Sequence, residues 1–288
     1  MAGAGIKAIN KRIVSVKSTQ QITRAMKLVA AAKLRRSQER LMAARPYSSK
    51  LMDLLGRLAD AGGSSHPLFQ QRDIKNRIVI VVTSDKGLCG AYNMNVIRKA
   101  QNLIDESVAE GIETSVYAVG RKARDFFAKR GYNVVVSHDD FGGAANDNQA
   151  RTISDFVTTR FLSGEVDDVK LVYAEFVSTM TQHPTIQQCL PIVPPESDED
   201  NASKLDYIWE PGKAQLYAVL MPLYLRNRFY IALCEAFASE HGARMSSMAA
   251  ATQNAGELID SLTLKRNRER QAAITQELSE IVGGASAL

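Results

Sequence analysis

The sequence predicts an α/β chain with a long helix at each end and a largely parallel sheet between them. Three observations predict it. Residues 6–58 contain one proline, Pro46, and one late glycine, Gly56, and their apolar residues recur at spacings of three and four. Residues 76–193 alternate β-branched runs with helical stretches, the pattern of a parallel sheet covered by helices. From about residue 211 to 282 a helical period returns. A chain of 288 residues, 45 % hydrophobic and 23 % charged, is of ordinary composition and has room for a sizeable core.

The first helix is written by Ile6, Ile9, Ile13 and Val16, and later by Ala30, Leu34, Leu41, Ala44, Leu51, Leu55 and Leu58. Between them the same register meets Gln20, Thr23, Lys27, Ser37 and Ser48, which makes a narrow, leaky heptad. The period predicts one helix, bent near Pro46. At 1.5 Å per residue it would run to about 80 Å, longer than a domain of this size needs. Inside it, "ITRAMKLVAAAKLRR" (22–36) offers Ile22, Met26 and Val29 as a thin apolar seam. Arg24, Lys27, Lys33, Arg35 and Arg36 coat the rest. A helix held on a globular surface should show a broad apolar face, and this one does not.

"AGGSSHP" (61–67) reads as a linker. "NRIVIVVTSD" (76–85) is the first strand, a continuous apolar run of the kind buried on both faces. A helix over 94–110, a strand over 111–120, a helix over 121–131 closed by Gly131, and a strand over 132–137 follow. "FGGAANDN" (141–148) reads as a loop, 149–163 as a helix, and 168–178 and 184–193 as strands. The acidic "PPESDEDNAS" (194–203) is an exposed loop. In the last helix, Cys234, Ala238, His241, Met245, Met248, Thr252, Ala255, Ile259 and Leu262 make a second seam of small or flexible residues. Pro211 suits its start, and Pro222 predicts a kink or a delayed start.

Charge is unevenly placed. Residues 1–60 hold thirteen Lys or Arg against three acidic residues, a net of +10, so the remaining 228 residues carry −5 of the total +5. A basic arm on a mildly acidic body points to an anionic partner. No run reaches the length of a membrane span, and the N-terminus lacks the apolar stretch of a signal peptide. Cys89, Cys189 and Cys234 are far apart in sequence and fit reduced thiols in a cytosolic compartment.

Catalytic signatures are missing from the sequence. The loop after the first strand, "SDKGLCGAYN" (84–93), has only Gly87 and Gly90, neither a dinucleotide nor a P-loop fingerprint. The histidines His66, His138, His183 and His241 make no zinc-ligand spacing. "HDD" (138–140) could hold a divalent ion weakly but reads better as a loop that solvates itself. No nucleophile–base pair stands out, so the expectation is a non-enzyme without cofactor or metal.

Specific stretches resemble a family. "STQQITRAMKLVAAAKLRRSQ" (18–38), "SDKGLCGAYN" (84–93) and "RQAAITQELSEIVGGASAL" (270–288) look like the gamma-subunit family of the F-type ATP synthase, in the same order and over the whole chain. "YIWEP" (207–211) is similar to that family's Y-x-Y-E-P segment, with Trp209 at the second aromatic position. The resemblance implies an antiparallel coiled coil of the terminal helices, 1–60 and 207–288. It also implies a Rossmann-like α/β domain over 75–206, after a linker at 61–74. It implies a rotor shaft, one copy per complex, that hydrolyses nothing itself. The shaft couples ion-driven rotation of a c-ring to ATP synthesis in a ring of three alpha and three beta subunits. An epsilon subunit would be a further partner, and the membrane would be met only through the c-ring, at the cytoplasmic face of a bacterial inner membrane.

The implied rotor–stator contacts are Arg24, Met26, Lys27, Lys33, Arg35, Arg36, Lys86, Arg270, Gln271 and Thr275. The implied bearing at the shaft tip is Ile274, Leu278, Ile281 and Val282. Tyr207, Trp209 and Glu210 are the implied contacts to the c-ring and epsilon subunit. Plant members of the family carry a regulatory cysteine pair in a middle insertion. Here only a short acidic loop without cysteine separates Val193 from Tyr207, so a bacterial member without thiol regulation is implied. Two rivals remain at this level. A basic coiled-coil nucleic-acid binder has the charge, yet the arm has no aromatic residue for base stacking before Tyr47. A Rossmann-type cofactor enzyme has the strand–helix alternation but lacks the phosphate fingerprint.

Overall fold

The computed structural model describes residues 2–60, 66–139, 141–193, 210 and 212–285. Helix α1 runs Ala2–Asp60 and helix α5 runs Lys213–Ala285. Between them lie a 3-10 turn at Pro67–Phe69, strand β1 (Asn76–Val82), helix α2 (Tyr92–Ala109) and strand β2 (Glu113–Val119). Helix α3 (Arg121–Lys129), strand β3 (Val134–His138), helix α4 (Asp147–Ser163), and strands β4 (Asp168–Phe176) and β5 (Gln182–Leu190) complete the order. By contacts the chain divides into two units, Met1–Ala30 with Arg244–Leu288, and Ala31–Ala243.

In the unit Ala31–Ala243, a five-stranded sheet has the order β3-β2-β1-β4-β5. The pairs β1–β2, β1–β4 and β2–β3 are parallel, and β4–β5 is antiparallel. The apolar runs are continuous because both sheet faces are covered. Ile78, Ile80 and Val82 of β1 join Tyr117 and Val119 of β2 on one face, with Leu41, Leu51, Leu55 and Leu58 of α1, Phe161 of α4 and Phe229 of α5. Val79 and Val81 face the other way, onto Val96, Ile97 and Ala100 of α2 and Phe127 of α3. Pro184 sits in β5, an edge strand, where a missing N–H does least harm.

One buried ion pair pins the end of the sheet opposite the 84–93 loop. Arg77 Nε lies 2.5 Å from Asp168 Oδ2, with side chains only 6 % and 3 % exposed. Gln188 Nε2 donates to the other carboxylate oxygen at 2.6 Å, and Arg77 also bonds Ser107. All the strongest acceptor positions of the buried carboxylate are therefore occupied, as a buried charge requires.

The other unit pairs the start of α1 with the last part of α5. Thr252 Oγ1 lies 2.8 Å from Thr23 Oγ1, and Gln20 Nε2 donates to the Thr252 carbonyl at 3.4 Å. A Cβ on Gly256 would come within 3.1 Å of Gln20 Nε2. As α1 is read back from 23 to 20, α5 is read on from 252 to 256, so the pair is an antiparallel coiled coil. Its buried seam is Ile13, Thr23 and Ala30 against Met248, Ala255 and Leu262.

Several expectations are corrected. Ile22 and Val29 do not form the seam; they are 57 % and 58 % exposed. Lys27 faces outward as well, and half-buried Met26 takes the place beside Thr23 and Ala30. The frame set by Ile13, Ala30, Leu34 and Leu41 prevails, and it puts Thr23 inside because Thr252 offers it a hydroxyl. Helix α1 continues through Pro46 as the single helix expected, whereas α5 starts at Lys213, ahead of Pro222, so its start is not delayed. Each proline removes one backbone donor without ending its long helix. Helix α4 begins two residues early, at Asp147, because Asn146 and Gln149 form a reciprocal capping box. Strand β1 ends at Val82, where the Thr83 hydroxyl turns to accept from Ala123 N at 2.9 Å.

Candidate functional site

The cations of 22–36 are divided in what they do. Arg24, Lys27 and Arg36 are exposed on α1. Arg35 Nε donates to Glu39 at 3.0 Å, an open pair one helical turn long. Lys33 Nζ donates to the Gly142 carbonyl at 3.3 Å. Exposed Val14, Ile22, Leu28 and Val29 interleave with these charges along the sequence. Sequence reading missed this apolar component, because it assigned Ile22 and Val29 to the interior. The signal for it is the register through Ile13, Thr23 and Ala30, which leaves Ile22 and Val29 on the outside.

At the other end of α5, Arg270, Gln271 and Thr275 are exposed, as are Ile274, Leu278, Ile281 and Val282. These last four form an exposed apolar stripe on one helix, each at least half open to solvent. Of the residues expected to meet a c-ring or epsilon subunit, Glu210 is exposed, and Tyr207 and Trp209 lie outside the described residues.

The 84–93 loop is built to hold itself. Asn93 Oδ1 accepts from Ser84 N at 3.0 Å, and Asn93 Nδ2 donates to Cys89 Sγ at 3.1 Å. The Ser84 hydroxyl donates to the Lys86 carbonyl at 2.5 Å. Asp85 accepts from Arg121 N at 3.0 Å. A nucleotide loop keeps a glycine where the ligand's phosphates approach the backbone. At Gly87 a Cβ would meet nothing within 4 Å, and the side chain of Asn93 occupies the space beside the Ser84 amide. Leu88 is exposed with φ 62°, held there by the turn, and Lys86 is exposed beside it. Left-handed backbone is uncommon for leucine, and this one puts an apolar side chain at the loop's outer edge.

The three cysteines are buried and unbridged. Burial pushes the thiol of Cys189 up to about 12 and that of Cys234 up to about 11. Both are protonated and inert at neutral pH. Among the described residues, no group of three His, Cys, Asp or Glu could hold a metal ion. Among them, too, no helix is long and apolar enough to cross a membrane.

The family model described as ATP synthase matches residues 5–288. The ATP synthase gamma chain of Desulforamulus reducens is 47 % identical over 286 residues, which cover 99 % of this chain and 99 % of that one. The chain belongs to the ATP synthase gamma-chain family. The gamma chain of Pelotomaculum thermopropionicum is 49 % identical over 284 residues, covering 98 % of this chain and 99 % of the relative. Among solved structures, a chain of the Euglena gracilis mitochondrial ATP synthase (OSCP/F1/c-ring, rotational state 3) aligns with TM-score 0.67 at 19 % identity. That alignment covers 99 % of this chain and 95 % of the other, and shows a common fold. Neither the family model nor the relatives support a nucleic-acid binder.

Proposed function

We propose that this chain is the central rotor shaft of an ATP synthase, coupling rotation of a c-ring to ATP synthesis in an alpha–beta hexamer. Full-length kinship with gamma chains carries the reading, and the helix pair gives it a physical form. The shaft is 1–60 with 207–288, joined through the linker 61–74 to an α/β domain over 75–206. One copy serves each complex, at the cytoplasmic face of a bacterial inner membrane. The chain is not catalytic; the chemistry belongs to the beta subunits.

A shaft that turns must leave every contact it makes. Exposed Arg24, Lys27, Arg35 and Arg36 suit passing acidic loops of the beta subunits, because an exposed ion pair is worth roughly 0–1 kcal/mol. Met26, Lys33 and Lys86, with Arg270, Gln271 and Thr275 near the tip, complete the rotor–stator set. The tip uses a second solution. Residues 271–288 contain no Lys or Arg, and Ile274, Leu278, Ile281 and Val282 turn in an apolar sleeve, where the small side chains of the last residues reduce interlocking. Tyr207, Trp209 and Glu210 meet the c-ring and epsilon subunit.

Affinity capture with this chain as bait tests the reading. Recovery of alpha and beta subunits in equal amounts is the expected result, and their absence overturns it. The purified chain alone should hydrolyse no ATP. Hydrolysis lost on changing Lys86 or Gly87 would contradict the non-catalytic role.

A further inference from the structure

The loop Phe141–Asn146 reads in the sequence only as a turn, yet it holds both long helices. All of its contacts lie within the unit Ala31–Ala243. Gly142 and Gly143 have φ 66° and 70°, a left-handed pair that glycine adopts without strain. Their carbonyls take Lys33 Nζ of α1 at 3.3 Å and His241 Nε2 of α5 at 2.8 Å. A carbonyl can only accept, so His241 carries its proton on Nε2. Two residues on, the Ala145 carbonyl accepts from Arg40 of α1 at 3.1 Å. Phe141 packs its ring 6.5 Å from that of Phe237 in α5. Asp147, at the start of α4, accepts from Arg226 Nε of α5 at 2.6 Å. One short segment thus grips α1 at two side chains and α5 at three.

Arg40 and Arg226 grip beside the buried Leu41 and Leu225, whereas Lys33 and His241 grip beyond the buried cluster. The cluster on the α4 face of the sheet reaches Leu41 in α1 and Phe237 in α5. On the opposite face, among the described residues, only Ala243 of the long helices joins the buried cluster. Lys33 is about 12 Å along the helix axis beyond Leu41. Close packing holds the helices where large side chains interlock, and beyond Phe237 the next buried residues of α5, Ala238 and Ser239, are small. Hydrogen bonds weaken steeply with angle, so they resist rolling.

We propose that the segment 141–147 is a torque clasp, which fixes the angle of the α1 and α5 segments on the α/β sheet so that turning one turns the other. The proposal rests on the rotor reading and names the element that carries torque between sheet and helices. It makes Arg40 and His241 positioning residues, each acting through the loop.

The test is made in the assembled complex with alpha and beta subunits. A bead is fixed to the exposed strand position Val135→Cys, with rotation stalled at one beta-subunit state. The width of the bead's angular distribution reports torsional stiffness. For Arg40→Ala with His241→Ala, the variance should rise at least twofold while ATP turnover stays near the unaltered rate. His241→Gln keeps an N–H donor and should restore most of the stiffness that His241→Ala loses. An unchanged width in the double variant, or a Gln variant as broad as the Ala variant, overturns the clasp. Should the double variant fail to assemble, Arg40→Ala alone should still broaden the distribution, and an unchanged width overturns the proposal equally. Failure of the rotor reading looks different: the bead on the otherwise unaltered chain would not rotate under ATP at all.

Discussion

In the unit Ala31–Ala243, large apolar side chains point inward. Tyr117, Phe127, Phe161 and Phe229 are fully buried, and both faces of the sheet are covered. In the unit of Met1–Ala30 with Arg244–Leu288, the buried positions are small, polar or widely spaced: Ile13, Thr23, Ala30, Met248, Ala255 and Leu262. Many of its larger apolar residues, among them Val14, Ile22, Leu28, Leu264 and Ile281, are exposed instead. The first unit buries a large apolar core, although Met42, Val108 and Val219 stay exposed. The second has just enough seam to pair two helices and keeps its surface for others. On the rotor reading proposed above, this is a rigid body and a sliding surface built from the same helices with different side chains.

The comparison breaks most visibly in the body. Asp168→Ala leaves the Arg77 guanidinium buried without its carboxylate, and should cost about 3–5 kcal/mol in denaturant unfolding. A loss below about 1 kcal/mol, the worth of an open surface pair, would mean that the body is no more tightly specified than the helix pair.

Truncation sharpens the contrast at the other extreme. Removing 283–288 takes away small side chains, and rotation-driven synthesis should persist. Removing 270–288 also takes Ile274, Leu278 and Ile281, and should leave the chain folded but the assembled complex largely uncoupled. If both truncations are equally inert, the exposed tip is not a bearing.

Met26 separates charge from packing on the sliding surface. Met26→Lys adds a cation between Arg24 and Lys27 and opens no large cavity. A new pair with a passing carboxylate that deepens one rotational station by about 1.4 kcal/mol slows escape tenfold. ATP turnover and proton pumping should therefore lose their coupling in Met26→Lys, and Met26→Leu should behave like the unaltered chain. Equal impairment in both would trace the effect to the packing of Met26 in the seam, and the charge explanation would have to be dropped.

The smallest effect concerns the polar seam pair. Thr252→Val removes the donor to Thr23 Oγ1, and should cost about 1 kcal/mol or less in unfolding of the chain. The double change Thr23→Val with Thr252→Val should recover that loss, because two apolar groups of the same shape leave nothing unpaired. A double variant less stable than the single would show that the hydroxyls set the seam's register.

The elements were legible where one period dominates. The strand 76–85 stands out because burial on both faces demands an unbroken apolar run, here Ile78–Val82, and the C-terminal seam from Cys234 to Leu262 because it keeps its alternation. Residues 22–29 misled because two helical frames one residue apart are both available there. The longer register from Ile13 to Leu41 selects Thr23 over Ile22, and Thr252 of the partner helix gives the buried hydroxyl its bond. The clasp was not legible at all. "FGGAAN" announces a turn, but its work is done by carbonyl groups, and a carbonyl's direction depends on backbone angles that the residue letters leave open. Lys33 shows the same limit. Its charge is plain in the sequence, while its bond to Gly142 joins residues 109 positions apart.

Rotation itself tests the central claim most directly. A bead fixed to this chain in a surface-held complex with alpha and beta subunits should turn in one direction when ATP is added, pausing at three equivalent stations per turn. A bead that stays fixed while the same complexes hydrolyse ATP would contradict the account.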